Sequence, residues 1–414
     1  MKEMTTILMI FLLLGTVMSC QKQEQGPDSL EDLPMKSAEL IDADNQFGLE
    51  LFRKVTDKAA ANANTMISPL SISLALTMTY NGAAGETKSE MEKTMNLHGL
   101  TTGEINAAHR ALVNALRTAD PSVQLEIANA IYYDQMLKVR EEFVTVNKQY
   151  YDAEVTALDF ADQASLLTIN GWVSEKTRGK IPTIVDQLDS DLVMMLLNAV
   201  YFNGIWKTPF KEEGTHMKPF RFGNGTTGEV ETMSMEGALE YTSNELFSAV
   251  HFPYGKEGFR MTVILPHESR STGEVIGAMD KDAWRTWMQD FRTEEDVEVS
   301  LPRFKFEWKM TLNDLLSSMG MAKAFVPYAA DFSGMTGNRD LFIGYVIHKT
   351  YVDVNEKGTE AAAVTAVGMF TTSMPVEPPG KIRFTVDRPF LFTITEKSTG
   401  AILFIGEINA PAYK

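Results

Sequence analysis

Cysteine is nearly missing from this chain of 414 residues: Cys20 is the only one, so no disulfide can staple the fold and packing alone must hold it. Clustered positive charge is missing as well. Thirty-eight Lys and Arg stand against 55 Asp and Glu, a formal net charge of −17, which disfavours nucleic acid or any other polyanion as a partner. The linear signatures of catalysis are also lacking. None of the six histidines belongs to an H-E-x-x-H arrangement, one cysteine cannot build a thiolate metal site, and no G-x-S-x-G elbow, P-loop or G-x-G-x-x-G occurs. Acidic residues are scattered, which at this charge reads as a solvated surface rather than a carboxylate pair. The expectation is a protein that is not an enzyme and carries no metal or cofactor, although a constellation assembled only in space escapes such a search. From Ser37 onward no Pro/Ser/Gly-rich gap breaks the alternation of turns and apolar runs, so one domain over 37–414 is expected.

What is present begins at the N-terminus. Lys2 precedes the apolar run Ile7 to Leu14, too short to span a membrane but of the length of a signal-peptide core. Gly15 and Val17-Met18-Ser19-Cys20 follow, and this resembles a bacterial lipobox, in which the cysteine is lipidated and becomes the mature N-terminus. A plain secretory signal with a chance cysteine is the alternative. Residues 1–19 are thus read as a lipoprotein signal peptide and the polar, acidic stretch 20–36 as a flexible tether lipidated at Cys20. Gln21-Lys22-Gln23-Glu24 is similar to the short polar export signals of surface lipoproteins. The expected location is the cell envelope, as an outer-membrane lipoprotein exposed at the surface, with membrane contact only through the lipid.

Within the domain, Phe47, Leu51 and Val55 recur at helical spacing and predict an amphipathic helix over about Ala43 to Ala60. Ser68-Pro69 starts a nearly continuous apolar segment that ends at Asn81-Gly82. Leu166, Ile169 and Val173 predict a helix before Gly179. Val297, Val299 and Leu301 alternate as a strand, and after Pro302 the residues Phe304, Phe306 and Trp308 continue in the opposite phase, which suggests a bulge or an edge position. Ile382, Phe384 and Val386 alternate again, and Phe390 to Ile394 and Ala401 to Ile405 flank Lys397-Ser398-Thr399-Gly400 in the pattern of a buried hairpin. Helices dominate early and strands late, so the class is α+β.

Five stretches then stand in order: Asn64 to Thr87 (NTMISPLSISLALTMTYNGAAGET); Ile169 to Phe210, with NGWVSEKTRGKI and LNAVYFNGIWKTPF; Tyr254 to Pro266 (YGKEGFRMTVILP); Val346 to Ala366 (VIHKTYVDVNEKGTEAAAVTA); and Asp387 to Asn409 (DRPFLFTITEKSTGAILFIGEIN). Together they resemble the signatures of the serpin family. The resemblance implies one metastable domain of three β-sheets and eight or nine helices, with an exposed reactive loop at about 357–381. It also implies a mechanism. A serine or cysteine protease cleaves the loop and is held as an acyl-enzyme in a covalent 1:1 complex, while the cut loop enters the central sheet as a new strand. The resemblance carries Glu356, Gly358, Thr359, Glu360, Ala361, Ala362, Ala363 and Thr365 over as the loop hinge. Ser68, Ser71, Asn198 and His348 match the polar shutter beneath the sheet, and Trp206 the breach where the loop enters. Counting from Glu356 puts the cut at Thr372-Ser373, with Met369, Phe370, Thr371 and Met374 as alternatives.

The loop can also be read from its residues. Gly358 to Ala363 would be helical by propensity, yet no stripe of large apolar side chains would pin such a helix, and Met374 to Gly380 (MPVEPPG) breaks structure beyond it. As a strand, Thr359, Ala361, Ala363, Thr365, Val367 and Met369 share one uncharged face, and Glu360 falls on the other. Residues 358–372 would then span roughly 50 Å at 3.3 Å per residue. Nothing at the hinge obstructs insertion, which favours an inhibitor over a non-inhibitory serpin-fold binder or chaperone. No Arg or Lys lies between Lys357 and Lys381, so elastase- or chymotrypsin-like targets are expected. Only scattered bases such as Arg110 and Arg117 lie between Thr101 and Asp120, where heparin-activated relatives present clusters, so a monomer without heparin control is expected.

Overall fold

Helix α1 (Ser37–Asp57) forms because Leu40, Phe47, Leu51 and Val55 recur along one face and bury it; it begins and ends earlier than the expected span. The computed structural model describes residues 33–359 and 381–413. Strand β1 (Thr65–Ile67) leads into α2 (Pro69–Tyr80), where extended Ser68 and Pro69 open the helix at the position proline tolerates. Every residue of α2 is buried, so the helix is apolar all round and runs through the interior. Next come α3 (Gly85–Thr94), α4 (Thr102–Thr118, closed by a Thr101/Glu104 capping box), β2 (Val123–Asp134), α5 (Glu141–Tyr151), β3 (Glu154–Leu158) and α6 (Gln163–Lys176). The middle of the chain supplies β4 (Met194–Ile205), β5 (His216–Arg221), β6 (Thr227–Ser243), β7 (Phe247–Pro253), β8 (Phe259–Pro266), α7 (Thr272–Ala278) and α8 (Lys281–Gln289). The last part gives β9 (Arg292–Pro302), β10 (Phe304–Thr311), α9 (Asn313–Leu316), α10 (Ser333–Thr336), β11 (Tyr345–Asn355), β12 (Gly358–Thr359), β13 (Ile382–Thr385), β14 (Phe390–Glu396) and β15 (Ile402–Ile408). Among the described residues α9 and α10 are single four-residue turns, which leaves eight longer helices.

Two hydrogen-bonded sheets organise these elements. The six-stranded sheet runs β10-β11-β12-β4-β2-β3, and the nine-stranded one runs β1-β15-β14-β8-β7-β6-β9-β13 with β5 on β6. The three expected sheets form two networks because β6 is long enough to belong to two layers. Its first residues pair with β5, its middle with β9, and Glu240 to Ser243 with β7, with a register shift between Gly237 and Leu239. Of the two readings of the phase flip at Pro302, the edge position holds and the bulge does not. Val297, Val299 and Leu301 point into the core from the nine-stranded sheet, and after Arg303 the chain crosses to become the edge strand β10 of the other. The expected hairpin is β14 against β15, with Leu391 opposite Glu407.

One large core fills the space between the sheets around α1 and α2. A smaller cluster lies on the other face of the six-stranded sheet, where Ile169 and Val173 of α6 and Ile181 and Ile184 beyond it cover Leu197, Ala199 and Ile347. Lys349 Nζ donates to the carbonyl of Thr183 at 2.8 Å, tying that covering segment to β11.

Candidate functional site

The six-stranded sheet is closed at one end and parted at the other. β11 and β4 pair directly, in parallel, from Tyr345 opposite Met195 to Lys349 opposite Ala199. Beyond Lys349 the strands diverge, and the two residues of β12 lie between them. Thr359 is opposite both Val354 and Gly204, and Gly358 opposite both Asn355 and Ile205, antiparallel on each side. Among the described residues nothing bridges Thr350–Asp353 of β11 to Val200–Asn203 of β4. The sheet therefore holds a slot whose mouth is already occupied.

Backbone proximity dictates the residue at that mouth. A Cβ on Gly358 would lie 2.1 Å from the carbonyl oxygen of Gly204 and 2.8 Å from the Cα of Ile205, so only glycine lets the chains approach. Thr359 is buried and its Oγ1 is 2.6 Å from the Tyr254 hydroxyl. Tyr254 stacks on Trp206 with ring centroids 4.5 Å apart, and burial pushes its phenol pKa up, so the hydroxyl keeps its proton. Trp206 Nε1 donates to the carbonyl of Asn355 at 2.9 Å, and the Trp206 backbone N–H donates to that of Lys357. Glu356 is buried. Its Oε1 accepts from Thr215 Oγ1 at 2.5 Å, and its Oε2 is 3.6 Å from Arg303, whose guanidinium lies 3.7 Å from the Tyr413 ring centroid. The loop was expected outside the sheet from about residue 357; Gly358 and Thr359 are instead inside it.

Beneath the closed end lies a buried polar cluster. The Ser68 backbone N–H donates to His348 Nε2 at 3.0 Å, which fixes Nε2 as an acceptor and puts the ring proton on Nδ1. Nδ1 then donates to Asn198 Oδ1 at 3.0 Å, and Asn198 Nδ2 donates to the carbonyl of Ser71 at 2.9 Å and to Asn129 Oδ1 at 2.7 Å. Burial drags the His348 pKa down to about 3, and the fixed Ser68 N–H leaves a second ring proton no room. Ser68 and Ser71 thus act through their backbone, and the Ser71 hydroxyl has no hydrogen-bond partner among the described residues.

Ser68, Ser71, Asn198 and His348 come together in this one cluster, and Trp206, Glu356, Gly358 and Thr359 gather at the mouth of the slot. Glu360, Ala361, Ala362, Ala363, Thr365, Met369, Phe370, Thr371, Thr372, Ser373, Met374 and Cys20 lie outside the described residues. Sequence reasoning missed Asn129, Tyr254 and Arg303. Tyr254 heads the third motif, and nothing in that pattern marks it out. Among the described residues a space-assembled constellation does occur: Asp44 accepts from Ser73 Oγ and lies 3.0 Å from His109 Nε2. All three are buried, and the carboxylate separates serine from imidazole, so the hydroxyl faces a carboxylate rather than a histidine and lies out of reach of substrate.

The family profile described as Serpin (serine protease inhibitor) matches residues 42–411. The chain is 35% identical to human leukocyte elastase inhibitor over 90% of its own length and 100% of that protein. It is 32% identical to an uncharacterized serpin-like protein of Methanosarcina acetivorans, over 94% of this chain and 88% of that protein. Among solved structures, native tengpin, a thermophilic serpin, superposes with a TM-score of 0.82 at 32% identity, covering 90% of this chain and 94% of that one. Human thyroxine-binding globulin superposes with a TM-score of 0.83 at 27% identity, covering 91% and 100%.

Proposed function

Since the chain belongs to the serpin family, a family chiefly of protease inhibitors, we propose that it is an irreversible suicide inhibitor that traps its target by loop insertion. The observation that carries this reading is β12. If the register of Gly358 and Thr359 is continued, Ala361 falls opposite Val352 and Phe202, Ala363 opposite Thr350 and Val200, and Thr365 opposite His348 and Asn198. Those strand residues face the buried side, so the entering face must be small and uncharged, as that of the loop is. Thr365 would enter between His348 and Asn198, where its hydroxyl can donate and accept in place of their direct bond.

The chemistry belongs to the protease. Its serine or cysteine attacks the carbonyl of Thr372, the acyl bond forms, the peptide bond to Ser373 breaks, and the new amine leaves with a proton from the protease. Insertion then carries the acylated protease away before water can hydrolyse the link. The likeness to leukocyte elastase inhibitor and the lack of Arg or Lys between Lys357 and Lys381 support elastase- or chymotrypsin-type targets. A lipid on Cys20 would hold the inhibitor at the cell envelope. The rival reading, a non-inhibitory serpin-fold binder, requires a hinge that resists burial, and the buried Thr359 argues against it. Incubation with elastase, chymotrypsin and trypsin, followed by denaturing electrophoresis, tests the proposal. The expected result is a stable 1:1 complex with one of the first two and a released peptide beginning near Ser373. A loop cut without complex formation by every protease would overturn it.

A further inference from the structure

Among the described residues two large apolar side chains stand almost free in water, Tyr328 at 93% exposure and Met35 at 90%. Tyr328 ends the turn Val326-Pro327-Tyr328, whose valine is 46% exposed. Its φ of 63° is a left-handed conformation that costs a tyrosine free energy, and here it leaves the ring in solvent. The turn is fixed at its base. The Ala329 and Ala330 N–H groups donate to the Val326 carbonyl at 3.2 and 3.0 Å. The Lys323 N–H donates to Glu90 Oε2 at 2.8 Å, and the Asp331 N–H to Thr87 Oγ1 at 2.9 Å. A strained, pre-organised apolar tip has the form of a docking element.

Both side chains lie on one side of the molecule. Met35 stands where the domain begins, and Lys36 beside it is within electrostatic range of Glu104 in the first turn of α4. Thr102 of the same turn accepts from Lys88 Nζ of α3 at 3.0 Å, and Glu86 and Glu90 of α3 pair with Lys323. Only the width of α3 and the start of α4 therefore separates Met35 from the turn, on the order of 20 Å. Lys36 also pairs with Glu39, and Arg339 with Asp331, so this face lacks the repulsion that a net −17 produces elsewhere.

We infer that Tyr328 and Val326, with Met35, rest on the headgroup layer of the bilayer that holds the lipid anchor. The inference rests on the lipid reading of Cys20, and it gives the domain a second hold on the membrane besides the lipid. From Cys20 to Leu33 is thirteen residues, at most roughly 45 Å of extended chain, so an anchored domain stays close to the surface. A tyrosine, with an apolar ring and a polar tip, suits that layer. Docking also sets the orientation. The Ile343 N–H donates to the Ala324 carbonyl at 2.9 Å, so the turn lies at the closed end of the six-stranded sheet, about 35 Å along β11 from the mouth of the slot. The docked domain thus points its mouth away from the bilayer. On the inhibitor reading, the register continued to Thr372 ends beside Leu341, so a trapped protease arrives at this same end and must lift the turn from the lipid.

The full chain carrying its lipid, in phosphatidylcholine vesicles, tests the docking. Cys20 is the only native cysteine, so Ala329→Cys supplies one free thiol for a fluorophore, and Lys256→Cys, beside Tyr254 at the mouth, supplies the control. Quenching by brominated lipid should be at least ~twofold stronger at 329 than at 256. Tyr328→Asn, whose asparagine accepts a left-handed φ, should cancel that difference while leaving the thermal midpoint in place or raising it. Equal quenching at the two positions, with the lipid confirmed on Cys20 by mass spectrometry, would overturn the docking alone. So would a difference unchanged in Tyr328→Asn. A Cys20 without lipid would remove the anchor and the docking with it, and leave the inhibitor reading standing. Adding chymotrypsin or elastase should abolish the difference as covalent complex forms, with the chain still on the vesicles. A label at 329 that ignores lipid but shifts its emission on complex formation would assign the turn to the trapped protease and sink the membrane contact.

Discussion

His348 has both ring nitrogens committed before any proton is added. Nε2 accepts from a backbone N–H that cannot turn away, so a charged ring would break that bond inside the core. Its native pKa is depressed to about 3, against about 6.5 for an unfolded histidine. The unfolded chain therefore binds the extra proton between those values, and stability is complete above pH 6.5 and lost as pH falls toward 3, by up to about 1.4 kcal/mol per pH unit. Unfolding midpoints of wild type and His348→Gln between pH 7 and 4 should diverge less as pH drops, because the variant lacks this loss. An imidazole titrating near 6.5 by NMR would contradict it. Thr359 makes the second residue-scale prediction. Thr359→Arg would bury an unpaired guanidinium beside Tyr254 at a cost of several kcal/mol, expelling the hinge and slowing insertion. Cleaved loop should then outweigh covalent complex, and an unchanged ratio on a denaturing gel would refute insertion through this mouth.

At the scale of the element, among the described residues no strand lies between Thr350–Asp353 of β11 and Val200–Asn203 of β4. Filling that slot gives two new antiparallel edges and breaks only the parallel pairs from Tyr345 to Lys349. On the inhibitor reading, a net gain of about ten hydrogen bonds at about 1 kcal/mol each would set the scale of the free energy released by insertion. Loop cleavage by a protease the chain does not inhibit should thus raise the thermal midpoint by at least ~10 °C, since each kcal/mol moves a large domain by a degree or two. A midpoint that stays or falls would mean that the strand does not enter. The covering segment must yield for this to happen. Lys349 holds it through Thr183 and also pairs with Glu307 at 2.7 Å, so release of that tie is part of opening.

Over the whole molecule, charge decides which partners approach. With a net charge of −17, long polyanions meet repulsion over most of the surface. Heparin should leave the rate of protease inhibition unchanged; an acceleration of tenfold or more would contradict the charge argument. The same acidity favours encounter with basic proteases, and raising salt from about 50 to 500 mM should slow complex formation through screening.

The amino-acid sequence by itself determined what local periodicity and side-chain size can encode. The apolar run of α2 behind Ser68-Pro69, the β14–β15 hairpin, the order of the five motifs and the small, uncharged face beginning at Thr359 are all legible from neighbouring residues. Tertiary structure alone decided the rest. β9 and β10 separate into different sheets at Pro302, where the sequence shows only a flip of phase, because periodicity reports which face is buried and not against what. Thr359 meets Tyr254, Asn198 meets His348, and Ser68 meets His348 across 105, 150 and 280 positions. Arg117 and Lys148 line one cavity only because α4 and α5 pack side by side. Partners that far apart are chosen by how the sheets and helices pack, and no local pattern records that choice.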